Sequence, residues 1–127
     1  VYKPKNMLEK IQDIDYDLGL FLKRIIMGVE SVSTTPGGLS MFRTRIVRKI
    51  GGFKKFSLTE DEEIAINLQK HGYFVWTVID GVSYTKVPKD LWTLIKQRTR
   101  WLRGGLWNRF RHKDLISLEA GDFSFFG

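Results

Sequence analysis

The chain has 127 residues, room for one small domain, and this length excludes a two-domain enzyme. Its 43% apolar and 28% charged residues are the composition of a packed globular chain and exclude a disordered one. Against 14 acidic residues stand 21 basic ones, a net charge of +7 that favours an anionic partner (a nucleotide, a nucleic acid or a membrane surface), and the lack of cysteine excludes disulfides and thiolate metal sites.

In chain order, the apolar positions Met7, Ile11, Ile14, Leu18, Phe21 and Ile25 step by four and three, which predicts an amphipathic helix over residues 7–27. Residues 31–33 are short and β-prone, and the breaker Thr34-Thr35-Pro36-Gly37-Gly38 predicts a loop before a strand over 39–43. A short helix over 45–50 should stop at Gly51-Gly52. Thr59, with Glu62 three residues on, has the letters of a capping box and predicts a helix whose apolar face is Ile64, Ala65 and Leu68 and whose end is Gly72. Two short strands are predicted over 74–79 and 82–87, around Asp80-Gly81. Beyond Pro88, the residues Leu91, Leu94, Ile95, Trp101 and Leu102 predict a last helix, interrupted at Gly104-Gly105. No internal repeat is present, and no apolar run approaches the roughly 18 residues of a membrane span.

Two segments concentrate charge. Lys96, Arg98, Arg100, Arg103, Arg109, Arg111 and Lys113 follow one another with no acidic residue between them, while Glu60-Asp61-Glu62-Glu63 is the opposite cluster. Acidic residues in a helix's first turn gain about 0.3 to 1 kcal/mol each from its positive end, so the cluster reads as helix stabilisation or as a carboxylate, Asp61, presented to a cleft as a general base. Gln97, Arg100 and Trp101 share a helix face by spacing. An amide, a permanent cation and a flat ring at one spot suit a phosphorylated sugar; the alternative is a core tryptophan beside a solvated arginine.

The run Gly38-Leu39-Ser40-Met41-Phe42-Arg43, then Ile50-Gly51-Gly52-Phe53, Leu58-Thr59-Glu60-Asp61, Gly72-Tyr73 and Gln97-x-x-Arg100-Trp101-x-x-Gly104, resembles the second half of the catalytic domain of glycosyltransferase family 2. The likeness is greatest to membrane-bound polysaccharide synthases that make cellulose, chitin or hyaluronan. Thr59-Glu60-Asp61 is similar to the family's T-E-D motif and Gln97 to Trp101 to its Q-x-x-R-W motif. The resemblance implies an α/β chain forming the second half of a GT-A fold, with mixed short strands packed on amphipathic helices. It implies an inverting transfer from a nucleotide-diphosphate sugar to the hydroxyl of a glycan acceptor. Asp61 would be the base, Trp101 the acceptor platform, Gln97 and Arg100 the diphosphate contacts, and Thr59 and Glu60 would shape the turn.

The same resemblance implies a divalent metal, Mg or Mn, held by a D-x-D motif upstream of this chain. Asp13-Ile14-Asp15 has those letters but lies in a helical pattern, and His71 and His112 are isolated, so no metal site is expected here. The chain reads as a single partial domain over 1–127, inactive alone, with a basic segment over 102–127, including Trp107 and Phe110, along the cytoplasmic face of the cell membrane. A non-catalytic peripheral-membrane module, or a nucleic-acid module using the same basic run with Trp101 and Trp107 stacking on bases, is the alternative; nucleic acid leaves the acidic helix start and the ordered landmarks unexplained.

Overall fold

The computed structural model describes residues 1–27, 34–78 and 80–113. The β-prone run 31–33, Ile79 of the expected strand 74–79, and residues 114–127 of the basic segment lie outside the described residues. Among the described residues four helices follow in order: α1 (Met7–Met27), α2 (Thr44–Lys49), α3 (Glu60–Lys70) and α4 (Leu91–Arg111).

Each boundary has a local cause. Asn6 starts α1 with a reciprocal capping box: its Oδ1 accepts from the Glu9 amide at 2.8 Å, and the Glu9 carboxylate accepts from the amides of Asn6 at 3.0 Å and Lys5 at 2.7 Å. Those backbone donors hold the Glu9 carboxyl below its ordinary range. After α2, Gly51 and Gly52 take φ of 89° and 72°, left-handed conformations that glycine adopts without a Cβ clash. Asp90 caps α4 by accepting from the Thr93 amide at 2.9 Å.

The core is small and centres on α3, buried over residues 62–68. Ile64 and Leu68 pack with Ile50, and Phe42, Ile46, Val47, Tyr73 and Val75 close around them. α1 is tied on through Gln12, whose Nε2 donates to the Pro88 carbonyl at 2.9 Å, and through the ion pair of Asp15 with Arg98 on α4.

Four expectations need correcting. Among the described residues none forms a β-strand, so the segments 39–43, 74–78 and 82–87 are irregular. Over 73–78 exposure still alternates, with Tyr73, Val75 and Thr77 half-buried and Phe74, Trp76 and Val78 exposed. A pleated pattern becomes a strand only when its amides and carbonyls find a ladder partner, and aromatic or β-branched composition measures fit to such a surface rather than a backbone preference. Second, α4 runs through Gly104-Gly105 without a break. A Cβ at Gly104 would lie 2.5 Å from Thr59 Oγ1 and one at Gly105 3.1 Å from Glu62 Oε2, so the glycines are the point where α4 rests on the start of α3.

Third, Thr59 stands at the N-cap position of α3 but its side chain accepts no backbone amide; its hydroxyl donates instead to Glu62 Oε2 at 3.2 Å. The fourth correction concerns which helix faces are covered. On α1 the apolar row Met7, Ile11, Ile14, Leu18, Phe21 and Ile25 is exposed, while Glu9 and Gln12 are buried. On α4 the packed row is Gln97, Trp101, Gly104, Gly105, Asn108 and His112, and Leu91, Ile95 and Leu102 face outward. Hydrogen-bonded polar groups and backbone close approach make most of these contacts, so hydropathy spacing points away from the covered face of α1 and, on α4, finds it only at Leu94 and Trp101.

Candidate active site

Burial of α3 from Glu62 onward leaves Glu60 and Asp61 as the carboxylates of its first turn that reach solvent. They form one side of a cleft of about 260 Å³ whose other walls are the loop 35–40 and the rings of Phe42 and Phe53. Those rings meet edge to face, centroids 5.6 Å apart at 88°. The loop is fastened to the helix by Thr35, whose hydroxyl donates to the Asp61 carbonyl at 3.0 Å and whose amide does so at 3.4 Å. Asp61 Oδ1 accepts from the Glu62 amide at 2.9 Å. Its Oδ2 faces Gly37 so closely that a Cβ there would be 3.2 Å away.

Two neighbouring titratable groups are shifted. Burial pushes the Lys23 ammonium of α1 below the usual lysine range, and the Asp61 carboxylate acts against that shift. Burial likewise pushes the Glu62 carboxyl up, with Asp61 adding to it, while hydrogen bonds from Asn108 and Thr59 and the Arg109 cation pull it back.

The second motif lies close by. Arg100 donates to the Leu58 carbonyl at 2.7 Å, directly before Thr59, and Gly104 rests on Thr59 itself. At a rise of about 1.5 Å per residue, Trp101 stands roughly one helical turn from that contact. The expected trio divides on arrival: Gln97 and Trp101 are half-buried on the packed row, whereas Arg100 is exposed. Arg100 lines a separate groove of about 500 Å³ with Leu58, Trp92, Ile95, Lys96, Thr99 and Arg103; Trp101 lines neither that groove nor the Asp61 cleft. One face of the Trp101 ring is covered by the Arg98 guanidinium, 4.8 Å from its centroid.

Sequence reasoning did not single out Lys23 or Asn108. Asn108 has a legible signal, since it falls four residues after Gly104 on the glycine face of α4. His71 Nδ1 lies 2.8 Å from the Asn67 carbonyl and His112 sits beside buried Glu63, so both are away from the cleft. Asp15 is engaged by Arg98, and no group of three or more metal-ligating side chains converges among the described residues. Among those residues no helix is long and apolar enough to cross a membrane.

The family model described as glycosyl transferase family group 2 matches residues 1–122. The chain belongs to glycosyl transferase family group 2. Membership in that group implies the GT-A fold. The chain is 32% identical over 101 residues to a poly-beta-1,6-N-acetyl-D-glucosamine synthase of Staphylococcus aureus, covering 79% of this chain and 24% of that protein. It is 32% identical over 73 residues to a probable glycosyltransferase, YdaM, of Bacillus subtilis, covering 58% of this chain and 17% of that protein. The chain thus spans less than a quarter of the length of these relatives, and no solved structure matches it.

Proposed function

We propose that the enzyme containing this chain transfers a sugar from a nucleotide-diphosphate donor to the hydroxyl of a glycan acceptor, with inversion, in polysaccharide synthesis. The observation that carries the reading is the half-buried Asp61 carboxylate in a small cleft walled by glycines and two aromatic rings, on the turn whose Leu58 carbonyl Arg100 holds. A ring-sized cleft with one carboxylate suits a sugar hydroxyl. Asp61 takes the hydroxyl proton as that oxygen attacks the anomeric carbon, and the nucleoside diphosphate leaves with the electrons of the broken bond. General-base help of this kind is worth about 10² to 10⁴ in rate.

Arg100, exposed beside the T-E-D turn, is assigned to the diphosphate together with Gln97; Trp101 is assigned to the acceptor, and Thr59 and Glu60 to shaping the turn. The divalent metal, Mg or Mn, is assigned to residues outside this chain and supplies charge neutralisation on the diphosphate. The outward face of α4, with Leu102, Leu106, Trp107 and Phe110 beside Arg103 and Arg109, is assigned to the cytoplasmic surface of the membrane. Apolar tips flanked by cations are the composition that anionic lipid headgroups attract.

The test is Asp61→Asn in the full-length enzyme, assayed with UDP-N-acetylglucosamine, UDP-glucose and GDP-mannose. Transfer should fall by at least about 10²-fold while calorimetry shows nucleotide binding retained. Arg100→Ala should instead weaken nucleoside diphosphate binding by about 1.5 to 3 kcal/mol. Undiminished transfer by Asp61→Asn refutes the base assignment.

A further inference from the structure

Asn108 is the only polar side chain of α4 that is fully buried, at 0% exposure, and it lines no part of the Asp61 cleft. Its amide instead reaches both flanks of the turn that carries Asp61. On one flank Nδ2 lies 2.9 Å from Thr59 Oγ1 and 3.2 Å from the Thr59 carbonyl; on the other it lies 3.3 Å from Glu62 Oε2. The amide cannot turn over freely, because its Oδ1 accepts from Ser57 Oγ at 3.1 Å, and Ser57 Oγ in turn accepts from the Thr59 amide at 3.2 Å. Gly104 and Gly105 bring α4 close enough for this reach, and any side chain there would push it away.

We infer that Asn108 is a positioning residue for Asp61: from α4 it holds Thr59 and Glu62 on either side of the base and thereby sets where the carboxylate stands against Gly37. The inference rests on the reading of Asp61 as the general base. An apolar replacement of the same size fills the space but leaves the Thr59 carbonyl and the Glu62 carboxylate without this donor in a buried site, so the turn relaxes toward other partners. The carboxylate moves with it. A misplacement near 1 Å is enough to cost about 10²-fold in rate.

The experiment compares Asn108→Ala, Ser57→Ala, Asp61→Asn and the core control Leu68→Ala in the full-length enzyme, with the same three nucleotide sugars as probes. Melting temperature, kcat and donor KM are measured for each. Asn108→Ala should lower kcat about 10- to 100-fold with donor KM within about twofold, and Ser57→Ala, which removes the partner of the Asn108 amide oxygen and of the Thr59 amide but keeps the Nδ2 contacts, should lower it less in the same pattern. Leu68→Ala should lose at least as much melting temperature with kcat within about twofold. Should Asn108→Ala not fold, Ser57→Ala decides the matter. If Asp61→Asn is inactive while Asn108→Ala or, in its absence, Ser57→Ala keeps full kcat, or if kcat falls in all variants only in proportion to stability, the positioning role is overturned and the base reading stands. Full transfer by Asp61→Asn overturns both.

Discussion

Gly37 and Asp61 are neighbours only because the loop 35–40 is pinned by Thr35 to the carbonyl of the residue whose carboxylate faces the cleft. Gly37 is not in a left-handed conformation, so an alanine there is tolerated by the backbone and its effect is spatial. Gly37→Ala should therefore leave melting temperature nearly unchanged and reduce transfer by about tenfold, since a Cβ 3.2 Å from Oδ2 displaces the carboxylate or the hydroxyl it serves. Enzyme assay beside thermal denaturation checks this. Glu62 makes a prediction of opposite kind. Its folded pKa is raised above the ordinary 4.5, so the folded state holds the proton more tightly than the unfolded one. Its contribution to stability is greatest below that value and declines as pH rises through the folded pKa. Glu62→Gln should then lose less stability than wild type between about pH 4 and 7, which denaturation at several pH values measures.

At the scale of elements, two contacts carry testable weight. The Asn6–Glu9 box starts α1 by satisfying amides that would otherwise lack partners. Asn6→Ala should cost about 0.5 to 2 kcal/mol by urea denaturation, and in wild type the Glu9 part of this stability is lost as pH falls through its lowered pKa. The crossing of α3 and α4 is tighter. Thr59 cannot step aside for a Cβ at Gly104, because its hydroxyl and carbonyl are both engaged by Asn108. Gly104→Ala should destabilise by about 1 to 3 kcal/mol despite alanine's better helix propensity, and Gly105→Ala, which meets the end of the Glu62 side chain, should destabilise less. A stabilised Gly104→Ala protein in the same denaturation experiment would mean the helices do not cross there.

For the whole molecule, the apolar rows of α1 and α4 point outward, with Trp107 58% and Phe110 75% exposed. Exposed aromatic side chains in a row along one helix mark a candidate interaction face. On the membrane reading, Trp107→Ser with Phe110→Ser should reduce co-flotation of the chain with vesicles containing anionic lipid, and high salt should weaken the wild type as well. Equal flotation of both proteins would remove α4 from the membrane surface.

What the sequence by itself determined were the features written in local chemistry. The extents of α1 and α3 and the glycine ends after α2 and α3 follow from apolar spacing and left-handed glycines, which depend on residues a few positions apart. Only the tertiary structure decided which helix faces were covered, that α4 passes unbroken through its two glycines, and that Asn108 and Lys23 stand near Asp61. The segments 74–78 and 82–87 show the same division: their pattern is local, but a strand is a property of two segments. Contacts of that kind join residues 26 to 83 positions apart, such as Thr35 with Asp61 and Asp15 with Arg98, and their energy lies in polar groups and close backbone approach, to which hydropathy spacing is blind.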